Sequence, residues 1–115
     1  MTESPVDEAV LRELEEATGA DFVAELVATF LEEAPVMIAD LSTAAGAGDG
    51  EAFRRAAHSL KSNASTFGAT ILSDQARALE LGGLPEDAEA RDDAISALKA
   101  GYDQAAAHLR DLTDG

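Results

Sequence analysis

The sequence has no cysteine and no tryptophan, and its aromatic complement is one tyrosine and four phenylalanines. Without cysteine there is neither a disulfide framework nor a thiolate metal site, which fits a reducing compartment. With 46% hydrophobic but only 4% aromatic residues, the apolar weight falls on Ala, Leu and Val. That balance favours helices, since strand-rich chains carry more aromatic and β-branched side chains. Basic residues are scarce, 8 against 23 acidic, for a net charge of −15. Nucleic-acid binding needs clustered cations at phosphates, so that class is disfavoured, as are anionic membrane surfaces. No apolar run reaches the length of a membrane span. The opening Met1-Thr2-Glu3-Ser4-Pro5 lacks the basic and apolar regions of a signal peptide. The expectation is a soluble, cytoplasmic, monomeric chain forming one domain over residues 1–115.

What is present is a succession of helical patterns. Ser4, Pro5 and Asp7 read as a helix start, with Val6, Val10, Leu11 and Leu14 at helical spacing and an end near Thr18-Gly19. A second helix from about Asp21 carries Phe22, Val23, Leu26, Val27, Phe30, Leu31, Ala34, Ile38 and Leu41 as one apolar stripe. Pro35 should kink this helix without ending it, because the stripe continues beyond. The glycines at 46, 48 and 50 close it. A third helix opens near Asp49, with Phe53, Ala57, Leu60, Ala64 and Phe67 inward and Gly68 at its cap. Thr70 is placed as the cap of a fourth, with Ile71, Leu72, Gln75, Ala76 and Leu79 inward, ending at Gly82-Gly83. The fifth carries Ile95, Leu98, Tyr102, Ala105, Leu109 and Leu112, and Gly101 within it either weakens it or permits close packing. The expected fold is all-α: an up-down four-helix bundle with an additional N-terminal helix packed on it.

Charge is distributed unevenly. Residues 1–40 hold eleven acidic side chains and a single basic one, Arg12, whereas Ala52 to Ser73 contains no acid at all. That window holds Arg54, Arg55, His58 and Lys61, a less negative island suited to contact. At about 100° per residue, Arg54, His58, Lys61, Ser62 and Ser65 lie roughly 80° to 180° from the apolar face of the third helix. His58 therefore points to solvent, with Arg54 one turn before it and Lys61 and Ser62 one turn after. A neutral imidazole nitrogen is a competent nucleophile near neutral pH. Phosphoryl transfer asks for in-line approach and positive charge around the moving oxygens. A solvated helix face is nonetheless the ordinary explanation of an exposed His beside a Lys, and the wheel alone assigns no function. His108 falls on the polar side of the fifth helix and reads as solvated. The acidic pairs Glu15-Glu16, Glu32-Glu33 and Asp92-Asp93 lack an accompanying Glu-x-x-His, so no metal site is expected. No P-loop or kinase glycine loop is present, so no ATP site and no cofactor are expected.

Residues 57–69 read Ala57-His58-Ser59-Leu60-Lys61-Ser62-Asn63-Ala64-Ser65-Thr66-Phe67-Gly68-Ala69. This run resembles the motif of the histidine phosphotransfer (HPt) family, A-H-x-L-K-(G/S)-x-(A/S)-x-x-(L/F/V)-G-A. Phe53-Arg54-Arg55-Ala56, Leu79-Glu80 and the acidic stretch Leu31-Glu32-Glu33-Ala34-Pro35 also resemble that family. The resemblance implies a phosphorelay carrier in which His58 accepts a phosphoryl group on Nε2 from a receiver-domain aspartyl phosphate and passes it to another receiver. Receivers would supply the metal and most of the catalytic assistance, leaving a phosphotransfer intermediate rather than a kinase. It implies that Lys61 lies beside the phosphate or the partner, that Ser62 departs from the Gly common at a position kept small for access, so that its side chain either narrows the approach slightly or donates its hydroxyl to the phosphate, and that Glu80 reaches the imidazole from the neighbouring helix. Arg54, Arg55, Lys61, Ser62 and Ser65 form the expected partner-binding face. The alternative is an acidic helical interaction module that docks a basic protein, with His58 incidental; label transfer from a phosphorylated receiver separates the two.

Overall fold

The computed structural model describes residues 6–114, and five helices follow one another: α1 (Glu8–Thr18), α2 (Ala20–Ala47), α3 (Gly50–Thr66), α4 (Thr70–Gly82) and α5 (Ala88–Asp114). There is no strand among the described residues. α3 packs between α2 and α4, α5 closes the ring against both α4 and α2, and α1 lies on α2. The apolar stripes meet in one core in which Leu41, Phe53, Leu60, Leu72, Leu98 and Leu109 are fully buried. Each such side chain contributes about 1.5–3 kcal/mol relative to an exposed one. Phe30 of α2 joins Phe67 and Tyr102 in an aromatic cluster, with ring centroids 5.2 and 6.4 Å away. Two residues expected inward are not: Phe22 is 48% and Leu112 is 39% exposed. Both lie near outer ends of long helices, where the stripe outruns the neighbours available to cover it. Among the described residues no helix is long and apolar enough to cross a membrane.

The helix ends depart from the sequence expectation in instructive ways. The Ser4-Pro5 start lies outside the described residues. α1 itself begins at Glu8, with the Asp7 carboxylate accepting from the Ala9 N–H at 3.1 Å. Asp7 is thus the cap and not a first-turn acid. Its own N–H donates to the Gly68 carbonyl at 2.6 Å, pinning the start of α1 to the corner between α3 and α4. Gly68 has φ +72°, and a Cβ there would stand 2.6 Å from the Asp7 carbonyl oxygen, so only glycine fits both the left-handed turn and the close approach. α3 starts as expected, with Asp49 accepting from the Ala52 N–H at 3.1 Å. α4 is capped at Ala69 without a side-chain bond, and Thr70 is already its first helical residue, its N–H donating to the Gly68 carbonyl at 2.8 Å.

α2 runs through Pro35 unbroken. Proline lacks the N–H that would bond the carbonyl four residues earlier, which is that of Leu31. The Tyr102 hydroxyl of α5 donates to this same Leu31 carbonyl at 2.8 Å, so the acceptor that Pro35 leaves open is satisfied by a tertiary partner. Gly101, next to that tyrosine, is buried and marks close packing: a Cβ there would collide with Gln75 Oε1 on α4. Arg91 ties the other end of the bundle, donating to the Pro85 carbonyl at 2.5 Å and to the Ala45 carbonyl of α2 at 3.1 Å.

Candidate functional site

α3 buries Phe53, Ala57, Leu60 and Ala64, and this fixes its rotation so that His58 faces outward. The His58 side chain is 59% exposed. On the neighbouring helix, Leu72 and Ala76 are buried and Leu79 is half-buried in the core, which turns Glu80 toward α3. Glu80 Oε2 lies 2.6 Å from His58 Nδ1, and Glu80 Oε1 lies 2.6 Å from Lys61 Nζ. One carboxylate therefore joins an imidazole and an ammonium one turn apart on the same helix. The Glu80 carboxyl is held below its usual pKa, first by the hydrogen bond from Lys61 and then by that from His58, against an opposing desolvation. An ionised carboxylate only accepts, so the nitrogen facing it carries the proton. Nδ1 is then the donor, and Nε2 is the ring nitrogen with a lone pair. Nε2 has no hydrogen-bond partner among the described residues.

The remaining sequence candidates distribute around this triad. Arg54 is exposed, and its guanidinium lies near Gly83 past the end of α4. Arg55 pairs with Glu51 at 2.8 Å, both side chains being largely exposed, and it borders the groove between α2 and α3 alongside Met37 and Ser59. Ser62 and Ser65 are exposed and line the groove between α3 and α4. Lys61 departs from the free cation that its spacing suggests. Its ammonium is spent on Glu80, because α4 brings a carboxylate within reach that the α3 wheel does not show. Arg77 of α4 also lines the α3–α4 groove, together with Asp74, and the sequence patterns leave it unmarked. Its one signal is its place one turn before Glu80 on the same helix. His108 stands well away from His58, with Nε2 3.8 Å from a Glu8 oxygen on α1.

A family model, the Hpt domain, matches residues 25–108, a span that includes α3, α4 and every residue of the triad. Among solved structures, the crystal structure of histidine-containing phosphotransfer protein B (HptB) from Pseudomonas aeruginosa PAO1 is similar at a TM-score of 0.82 and 24% identity. That match covers 98% of this chain and 97% of the other; at this identity the likeness concerns the fold. No curated protein matches the chain.

Proposed function

The chain belongs to the Hpt domain family, a family of histidine phosphotransfer in phosphorelays, and from that premise we propose that His58 is its phosphoacceptor, loaded by one receiver domain and unloaded by another. The observation that carries this reading is the 2.6 Å contact between Glu80 and His58 Nδ1 beside an exposed ring. It leaves the Nε2 lone pair as the nucleophile. In the forward step that lone pair attacks the phosphorus of a receiver aspartyl phosphate. The N–P bond forms as the O–P bond of the acyl phosphate breaks, and the receiver's aspartate leaves as a carboxylate. The ring, protonated at Nδ1 and phosphorylated at Nε2, becomes cationic, and the Glu80 carboxylate offsets that charge. Onward transfer is the same exchange in reverse with a second receiver.

The division of labour follows from what phosphoryl transfer needs. Little covalent help is required beyond alignment and charge. Glu80 fixes the tautomer and ring orientation, as partners of functional histidines do. Lys61 keeps Glu80 ionised and brings positive charge one turn from the acceptor. Ser62, small and exposed one turn after His58, leaves the approach to Nε2 open. The test is label transfer from phosphorylated receivers to the wild type, His58→Gln and His108→Gln. Label on the wild type and on His108→Gln, with none on His58→Gln, supports the reading. Label persisting on His58→Gln contradicts it, and a chain that binds receivers without ever accepting label is an interaction module.

A further inference from the structure

Resting on the phosphotransfer reading, we infer that Arg54, and not Lys61, is the cation that takes hold of the phosphoryl group once it is on His58. The need for a cation follows from the change in charge. Before loading, the ring is neutral and the Lys61 ammonium balances the Glu80 carboxylate. After loading, the ring keeps its Nδ1 proton and bears a phosphoryl group of about −2 charge, so the site gains about one net negative charge. On a chain of net charge −15 nothing general offsets it. A distant cation helps little, because exposed charges are screened within about 8–10 Å.

The nearby cations are unequally available. Lys61 is held by Glu80 at 2.6 Å, the two side chains being 28% and 18% exposed. Turning to the phosphate would strip that carboxylate of its main partner just when it must hold the ring proton. Arg55 is engaged by Glu51. Arg77 shares with Asp74 a groove that neither His58 nor Glu80 lines. Arg54 is both one turn from His58 and without a hydrogen bond or ion pair among the described residues. Side chains four apart on a helix are neighbours, with Cβ atoms about 5–6 Å apart. The guanidinium rests over the end of α4, where a Cβ on Gly83 would stand 3.5 Å from its nitrogen. Glu80 grips the ring from one turn earlier on that helix, so the guanidinium waits along the same seam. No bond has to break for it to swing onto the phosphoryl oxygens, and its planar fork matches two of them. Arg54 thus touches the transferred group and is a catalytic residue, whereas Lys61 acts through Glu80 and is a positioning residue.

The test is the equilibrium between loaded receiver and loaded His58, measured with dilute purified proteins and approached from both sides. Docking does not enter that equilibrium, because the complex stands on neither side of it; a residue that serves only the partner contact changes the rate and leaves the ratio alone. Arg54→Ala is expected to lower the ratio of loaded His58 to loaded receiver about three- to tenfold. Arg54→Lys should recover part of the loss, since the charge returns without the fork. Arg110→Ala, which removes the same charge from an exposed position on α5, should stay within about twofold of wild type. A wild-type ratio in Arg54→Ala, whatever its rate, overturns the inference, and so does an equal loss in Arg110→Ala. A second measurement needs no receiver. With His58 loaded chemically by phosphoramidate, the Arg54 Nε–H proton, followed by NMR, should exchange with water several-fold more slowly than in the unloaded protein; unchanged exchange overturns the inference as well. If phosphoramidate loads His58 and every receiver fails to, the phosphotransfer reading falls while the Arg54 signal still decides this inference.

Discussion

At the scale of single residues, Glu80 carries the most chemistry. A carboxylate between an ammonium and an imidazole titrates low because both neighbours favour its charged form, and here Lys61 is the larger influence and His58 the smaller. With the folded pKa below the unfolded one, the contribution of Glu80 to stability is complete above the ordinary carboxylate range. It is lost as pH falls through the depressed value, so the bridge stays intact across neutral pH. Lys61→Met should move the Glu80 midpoint upward, read from its carboxyl carbon in an NMR titration; an unmoved midpoint would mean that Lys61 does not hold the carboxylate. Glu80→Ala should slow transfer several-fold, at most about tenfold, without abolishing it, because it loosens the ring but leaves the nucleophile in place. Rapid-quench transfer rates decide this, and a rate equal to wild type would make Glu80 a bystander. His58 was legible from an outward helical face and a motif. Glu80 was legible only through the resemblance, because no local periodicity relates residues 22 apart on two helices. The engagement of Lys61 was not legible at all, since it depends on how closely α4 approaches α3.

Element by element, the periodicities were sufficient to find five helices, because burial on one face repeats locally in the sequence. The ends were harder, for their determinants are tertiary. Asp7 caps α1 where the chain is held to Gly68, and nothing local distinguishes it from Ser4 as a start. The continuation of α2 past Pro35 was readable from the stripe, but its compensation was not, because the donor is Tyr102, 71 residues from Leu31. Tyr102→Phe should therefore lower stability by about 1 kcal/mol through the lost hydrogen bond, seen as a lower urea midpoint with native helix content and unimpaired transfer. A midpoint equal to wild type would mean that water satisfies the Leu31 carbonyl equally well. Gly68→Ala should cost more, of order 1–3 kcal/mol from backbone strain, with added loss from the clash against Asp7, and should loosen α1 before the bundle. Hydrogen exchange that speeds first at α1 amides would bear this out, and uniform protection would contradict it.

The molecule as a whole is a helical bundle that presents the exposed His58 ring on a stretch of helix poorer in negative charge than the rest. That contrast is written into the order of the residues, since eleven of the acids precede residue 41 and none falls between Ala52 and Ser73. What composition could not give was which charges flank α3, since α2 supplies Asp40 on one side and α4 supplies both Asp74 and Arg77 on the other. Ser62→Trp should block transfer while circular dichroism stays native, because an indole there would fill the approach to His58; normal exchange by Ser62→Trp would place the partner elsewhere. The central claim is more specific than transfer itself: Glu80 holds the proton on Nδ1, so phosphorus must arrive at Nε2. The most direct measurement is NMR of the ring nitrogens of ¹⁵N-histidine-labelled protein after loading by a phosphorylated receiver at neutral pH. Phosphorus–nitrogen coupling at Nε2 of His58, with Nδ1 still protonated, is the expected result. Coupling at Nδ1, or phosphorus on any residue other than His58, would contradict it.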